Sequence, residues 1–537
     1  MALECVFPNV GEIPSEVAVD GEAVSRKWLC DSVIRTWDGP SREVRSPVCV
    51  RHPDGSLERV LVGHEPMLDA AATHEALAAA KRAWNEGRGD WPSMRVAGRV
   101  KALERFIAGM RLVREPVVRL LMWEIAKTRK DAESEFDRTV QYIVDTVEAV
   151  KELDRSSGRF VLEEGFLGQI RRSPLGVVMC MGPFNYPLNE TFTTLIPALV
   201  MGNTVLSKSP RHGGLALVPL FQAFADAFPP GVVNVFQGDG ASTVGPIMAA
   251  GEVDVLAFIG TSRVANVLKR EHPRPNRLRC VTGLEAKNPA VVLPDANLEV
   301  AVRECVGGAL SFNGQRCTAL KLVFVHASIA DAFVAQLAAT IDAMKPGMPW
   351  TPGAQLTPLP ERQKAERLKA YVDDAVAKGA AVVNGGGHFE GTWYAPAVVY
   401  PVTPEMALWH EEQFGPIVPV ARFEDDSEID HFMRQSPYGQ QISLFGQDPR
   451  RLGALVDALA NQVCRININS QCRRGPDTFP FAGRKDSAEG TLSVSDALRA
   501  FSIRTVVAAA ASPENKAIVT DVVTGRMSRF LSTDFIF

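Results

Sequence analysis

Eight consecutive residues, Ser311-Phe312-Asn313-Gly314-Gln315-Arg316-Cys317-Thr318, carry the densest chemistry in the chain. The cysteine directly follows an arginine and lies close behind a glycine. The thiolate, not the thiol, is the nucleophile, and a cationic neighbour with exposed backbone N–H groups lowers a thiol's pKa. Small and polar flanks suit a turn approached by a ligand. In a packed strand the same residue would be only a small buried hydrophobe.

Four other stretches could work with it. Pro183-Phe184-Asn185-Tyr186-Pro187 comes straight after the apolar run 176–181. The Asn185 carboxamide can donate to a developing oxyanion, although the same residues also make an ordinary turn. Lys208 closes the run 203–208, and Arg211 follows three residues on. A lysine ending a parallel strand reaches a ribose or phosphate, and an arginine's planar fork accommodates a 2′-phosphate. A solvated basic loop is the plainer alternative. Gly238, in Gly238-Asp239-Gly240, permits close backbone approach, and Thr261, in Gly260-Thr261-Ser262, could sit near a pyrophosphate. Neither stretch is a complete G-x-G-x-x-G. Finally, Glu412 in Glu411-Glu412-Gln413-Phe414-Gly415-Pro416 could hold a ribose hydroxyl, with Phe414 packing on a ring.

These loops need elements to position them. The texture around residue 177 is strand, helix, strand with short connections, as in Val177–Met181, Thr204–Lys208, Val232–Phe236 and Val253–Ile259. Such alternation predicts a doubly wound parallel sheet with ligands at the carboxyl ends of its strands. A second α/β series runs from about Ala290 to Phe445. Before them come β-like runs up to about residue 65 and then helical segments through Leu153. The apolar tail Thr505-Val506-Val507-Ala508-Ala509 reads as a strand needing a partner, which suggests an oligomer contact.

Composition narrows the class. The 537 residues are too many for one core, and 46% hydrophobic with 22% charged is ordinary for a globular protein. A formal net charge of -4 favours neither nucleic acid nor a membrane surface. Nine scattered cysteines, with no C-x-x-C pair, argue for a reducing, cytoplasmic setting and against a disulfide framework or a metal site. The first residues lack a basic n-region and a long apolar stretch, so no signal peptide is expected. No apolar run is long enough to span a bilayer.

In combination, Phe184–Pro187, Lys208, Phe258–Thr261, Gly314–Cys317 and Glu412–Pro416 resemble the aldehyde dehydrogenase superfamily across about residues 60–510. Phe136-Asp137-Arg138-Thr139, Phe312–Ala319 and Arg474-Gly475-Pro476-Asp477-Thr478-Phe479-Pro480-Phe481 further resemble its non-phosphorylating, NADP-dependent glyceraldehyde-3-phosphate dehydrogenases. The resemblance implies an α/β fold in three parts. A Rossmann-like coenzyme domain would take 1–284, with part of a β flap near 155–172. A catalytic α/β domain would take 285–495, and a C-terminal oligomerisation strand and tail 496–537. It also implies roles. Cys317 would be the nucleophile, and Asn185 with the Cys317 N–H the oxyanion donors. Lys208, Thr261, Glu412 and Phe414 would contact NADP. Arg138, Tyr186, Arg316 and Arg474 would hold the substrate phosphate, a task that suits bidentate arginines. The expected protein is a homo-oligomer, dimer or tetramer, that forms 3-phosphoglycerate through a thioester. A dehydrogenase for another small aldehyde or semialdehyde, with or without acyl transfer to coenzyme A, is the alternative, and a catalytically silent structural member a more remote one.

Two departures stand out. Where the superfamily carries a Glu-Leu-Gly-Gly-Lys string, this chain reads Gly283-Leu284-Glu285-Ala286-Lys287. The usual general-base position is Gly283, so Glu285 is the nearby carboxylate left to take a proton from water. The loop Gly260-Thr261-Ser262-Arg263-Val264-Ala265 has also lost its later glycines.

Overall fold

The structure, a computed structural model, describes residues 7–535. The long helix α1 (Arg129–Ser156) buries Glu135, Phe136, Thr139, Tyr142, Ile143, Thr146 and Val147, one face at helical spacing. It packs on α2 (Asn189–Val200), which is buried all round and so sits inside the protein. A hairpin of β1 (Phe160–Glu163) and β2 (Phe166–Pro174) follows α1 and leads into the first sheet.

The centre of that sheet is β3 (Val177–Met181), β4 (Thr204–Lys208), β5 (Val233–Phe236), β6 (Val255–Ile259) and β7 (Arg279–Gly283). The strands are short apolar runs, and β3 to β6 are buried along their whole length, as parallel strands covered on both faces must be. Spatial order is β5-β4-β3-β6-β7, flanked by Lys27–Cys30 and Val33–Thr36 on one edge and Ala488–Glu489 on the other. The register aligns the carboxyl ends: Met181 pairs with Lys208, Lys208 with Phe236, Phe258 with Met181, and Ile259 with Gly283. Asn185, Lys208, Arg211, Gly238, Thr261 and Glu285 therefore all leave from one edge of one sheet.

The second sheet has seven strands among the described residues. β8 (Pro289–Val292) and β9 (Leu322–His326) lie at its centre, beside Ile417–Phe423 and Gln441–Phe445. Helix α4 (Leu298–Leu310) crosses from β8 towards β9, and helix α3 (Ser262–Glu271) packs earlier, after β6. Lys287, Cys317 and Glu412 come just before β8, β9 and Ile417–Phe423. This sheet thus offers its amino ends, not its carboxyl ends, to the cleft. The sequence reading expected ligands at carboxyl ends; the candidate residues leave from carboxyl ends in the first sheet alone. Far along the chain, helix α5 (Val494–Ala500) precedes β10 (Ser502–Ala510), which pairs antiparallel with β2 and completes a three-stranded arm.

Candidate active site

Cys317 stands after a turn that few sequences can make. Phe312, Asn313 and Gly314 have φ of 49°, 53° and 70°, three left-handed residues in a row. Such geometry is costly for Phe and persists only when its surroundings enforce it. Asn313 is locked to Thr357 by two bonds of 3.0 Å, one in each direction. At Gly314 a Cβ would come within 2.6 Å of the Gly415 carbonyl and 2.7 Å of the Ala309 carbonyl, so only glycine fits. Gly314 and Gly415 thereby hold the cysteine turn against the Glu412 loop.

The thiol is half-buried. Burial pushes it up to about 11; the Glu190 carboxylate adds to that, while Lys321 and Arg474 oppose it. The resting group is therefore a protonated thiol. Among the described residues, the Cys317 N–H donates to no protein acceptor. Asn185, buried, reaches across and donates its Nδ2 to the Gln315 carbonyl at 2.7 Å. The carboxamide and the free amide are thus both at the cysteine turn. Lys321 Nζ donates to the Cys317 carbonyl at 2.6 Å and pairs with Glu412 Oε1 at 3.0 Å. Sequence reasoning passed over Lys321, although Cys-Thr-Ala-Leu-Lys places it only four residues on. Lys287 is also buried. It donates to the Glu411 carbonyl at 2.6 Å and Gln413 Oε1 at 3.0 Å, and burial beside Lys321 pushes it down to about 7.

Glu412 is already engaged: besides Lys321, it accepts the Ala286 N–H at 3.2 Å. Phe414, at φ 46°, turns its ring to within 5.9 Å of Phe184. Both aromatic motifs therefore meet over the cleft between the sheets.

The four residues expected to hold an anionic substrate are gathered, but not as bare cations. Arg138 makes a bidentate pair with Asp477, at 2.8 and 2.7 Å. Arg474 lies 3.1 Å from Glu190 and 3.5 Å from Asp477, and its Nη2 donates to the Leu492 carbonyl. Arg316 donates to the carbonyls of Gly307 and Gly308 and has no carboxylate partner among the described residues. Tyr186 lies within the field of Arg316 and Arg138, yet burial pushes its hydroxyl up to about 12, so it stays a donor. Burial raises Glu190 as well, against the pull of Arg474 and Arg138. Glu190 is the second residue that the sequence reading missed; the signal was a carboxylate four residues after Tyr186, on the first turn of α2.

Beneath Tyr186 is a fully buried ion pair, Lys127 with Glu135. The Lys127 ammonium sits 3.5 Å from the Tyr186 ring centroid and 4.8 Å from that of Phe312. Glu135 accepts the N–H groups of Leu188 and Asn189 at 3.0 and 3.1 Å. One pair thus ties α1 to the Asn185 loop and to the cysteine turn.

Glu285 is already engaged at the start of α3. Its carboxylate accepts the Ser262 N–H at 2.8 Å and lies 3.4 Å from the Ser262 hydroxyl, at the start of α3. A first-turn amide with a positive helix end draws a carboxylate strongly. The carboxylates acting most on the thiol are Glu190 and Glu412 instead.

The strand-end cleft fits a dinucleotide in most respects. Lys208 closes β4 nearly buried, with no ion-pair partner among the described residues, and burial lowers its pKa. Arg211 beyond it is exposed. Gly238 has φ 131°, and a Cβ there would stand 2.8 Å from Thr243 and 3.2 Å from the Leu68 nitrogen, so the backbone must stay bare. Thr261 caps α3 through the Val264 N–H. The exception is the Ser262 amide, which Glu285 holds. Among the described residues no cluster of His, Cys, Asp or Glu could bind a metal ion, and no helix is long and apolar enough to cross a membrane.

Two facing α/β sheets, with a cysteine and a carboxamide converging at the cleft between them, define a class, and residues 50–507 match it: the chain belongs to the aldehyde dehydrogenase family. It is an enzyme of that family, with aldehyde dehydrogenase activity. Among its relatives is the NADP-dependent glyceraldehyde-3-phosphate dehydrogenase of Streptococcus equinus, 35% identical over 397 residues, which covers 72% of this chain and 81% of that protein. The crystal structure of NADP-dependent glyceraldehyde-3-phosphate dehydrogenase from Bacillus halodurans C-125 complexed with NADP superposes with a TM-score of 0.83 at 30% identity, covering 91% of this chain and all of that one. Malonate-semialdehyde dehydrogenase 1 of Bacillus licheniformis is 28% identical over 437 residues, 80% of this chain and 88% of that protein.

Proposed function

We propose that the protein oxidises glyceraldehyde 3-phosphate to 3-phosphoglycerate with NADP, through a thioester on Cys317 and without an acyl phosphate. The observation that carries this reading is the grouping of Arg138, Tyr186, Arg316 and Arg474 about the cysteine turn. Three guanidiniums face two carboxylates, Asp477 and Glu190, so the cluster keeps one net positive charge, centred on Arg316. An arginine fork matches a phosphate's oxygens. The similarity to NADP-dependent relatives supports the coenzyme, as does exposed Arg211 beyond Lys208.

In this reading the Cys317 sulfur, once deprotonated, bonds to the aldehyde carbon. The developing oxyanion takes hydrogen bonds from the Asn185 carboxamide and the Cys317 N–H. When bound, the nicotinamide coenzyme accepts the hydride. The resulting thioester is opened by water: a C–O bond forms, the C–S bond breaks, and a carboxylate takes the water's proton. Glu285 could do this only after leaving Ser262.

Steady-state rates with NADP, in buffer free of phosphate and coenzyme A, test the substrate. Glyceraldehyde 3-phosphate should outperform glyceraldehyde and malonate semialdehyde. Arg316→Ala should raise KM for the phosphorylated aldehyde by about tenfold to a hundredfold, the loss of a charge-assisted bond, with little change for glyceraldehyde. A wild-type preference for the semialdehyde, or an equal effect of the substitution on both substrates, refutes the reading.

A further inference from the structure

At the root of the arm is a second concentration of charge that the proposed reaction does not use. A cavity of about 500 Å³ is lined by Arg172, Arg279, Arg499, Ala500, Ser502, Ile503 and Arg504. Its four guanidiniums come from four elements: β2, β7, α5 and β10. The antiparallel register of β10 on β2 sets Arg504 directly opposite Arg172. Like charges in that position destabilise a sheet unless something offsets them. The protein supplies little offset. Arg499 pairs with Asp496 at 3.1 Å, and among the described residues Arg172, Arg279 and Arg504 have no ion-pair partner. Arg172 is instead aimed by neutral groups. Its Nε donates to Ser502 Oγ at 2.7 Å, and its Nη2 to the carbonyls of Arg499 and Ser502 at 2.8 and 3.0 Å. Three cationic charges are thus left over around one cavity.

We propose that this cavity binds a small molecule carrying two or more phosphate groups. The volume lies within the usual range for small-ligand pockets. Guanidinium forks take phosphate oxygens two at a time, and an anion with two phosphates can engage arginines on both sides of the β2–β10 pair at once. The chain's net charge of -4 makes a polyanionic polymer a poor match for so local a patch. The site also lies close to the main sheet. Asn203 Oδ1 accepts the Leu175 and Gly176 N–H groups, between β2 and β3, while its Nδ2 donates to the Phe501 carbonyl, between α5 and β10.

Inorganic pyrophosphate is the probe, titrated calorimetrically into the full chain with and without saturating NADP. It should bind in both cases. Arg279→Ala and Arg504→Ala, both at exposed positions, should each weaken it by about tenfold or more, while Arg450→Ala leaves it unchanged and all three variants keep the wild-type Kd for NADP. Absence of binding overturns the proposal. So does binding that NADP abolishes, or binding that survives both substitutions. If Arg504→Glu splits an oligomer while the wild type ignores pyrophosphate, acidic side chains of another copy meet the arginines, and the proposal fails. Aldehyde oxidation is read in none of these arms, so the reading of the catalytic site stands or falls separately.

Discussion

Cys317 rests as a thiol because it is half-buried and because the Glu190 carboxylate acts on it. Its alkylation by iodoacetamide should therefore be slow at neutral pH and should rise steadily towards pH 11, where the thiolate takes over. Glu190→Gln removes the charge that raises the thiol most, so alkylation at pH 8 should speed up by about threefold to tenfold, up to one unit of thiol pKa. An unchanged rate would show that burial alone sets the thiol. The other residue-scale conflict is at Ser262. A carboxylate and a coenzyme pyrophosphate both suit a helix N-terminus, and they repel each other. Glu285→Ala should tighten NADP binding, read by quenching of tryptophan fluorescence, by about threefold to tenfold. Weaker or unchanged binding would mean that the coenzyme never meets Glu285.

Among the elements, α1 matters most for the site although it contributes no reacting group. Its Glu135 ties the Leu188 and Asn189 amides to Lys127, and Lys127 supports Tyr186 and Phe312. Glu135→Gln leaves a buried ammonium unpaired, which typically costs about 3–5 kcal/mol. Thermal unfolding should show a large fall in Tm, and a Tm within a degree of wild type would rule out this role. The sequence revealed the short apolar strands, the α/β alternation and the order of the loops, because each is written in a local run. It did not reveal that the second sheet turns its amino ends to the cleft, since strand direction relative to another sheet is a matter of tertiary packing. Glu285 is the carboxylate nearest in sequence to Gly283, which lacks one, so the sequence offers it as the base. The α3 amide that captures it is 23 positions away. Lys321 and Glu190 were overlooked for a similar reason: each looks like a surface charge until burial is known.

At the scale of the whole molecule, the arm is unfinished. Val161, Leu162, Phe166, Ile170 and Val506 are 44–62% exposed on its three strands. Apolar groups in such number on one small sheet suit a contact with a second copy. Light scattering after size exclusion should report an oligomer for the wild type, and Val506→Asp should shift it towards monomer without unfolding the chain. A wild-type monomer at micromolar concentration would end the oligomer proposal.

The pairing of β10 with β2 also has a consequence for biogenesis. On the ribosome, Arg172 emerges 330 residues before Ser502, its eventual partner. At ordinary elongation rates that gap lasts roughly 15–65 s. Throughout it, one edge of the hairpin is an open template for any passing strand. Arrested nascent chains that stop before Ser502 should sediment with chaperones or aggregates, whereas released full-length chains should not. Translation speed between the codons for Arg172 and Ser502 would then set the yield of folded enzyme.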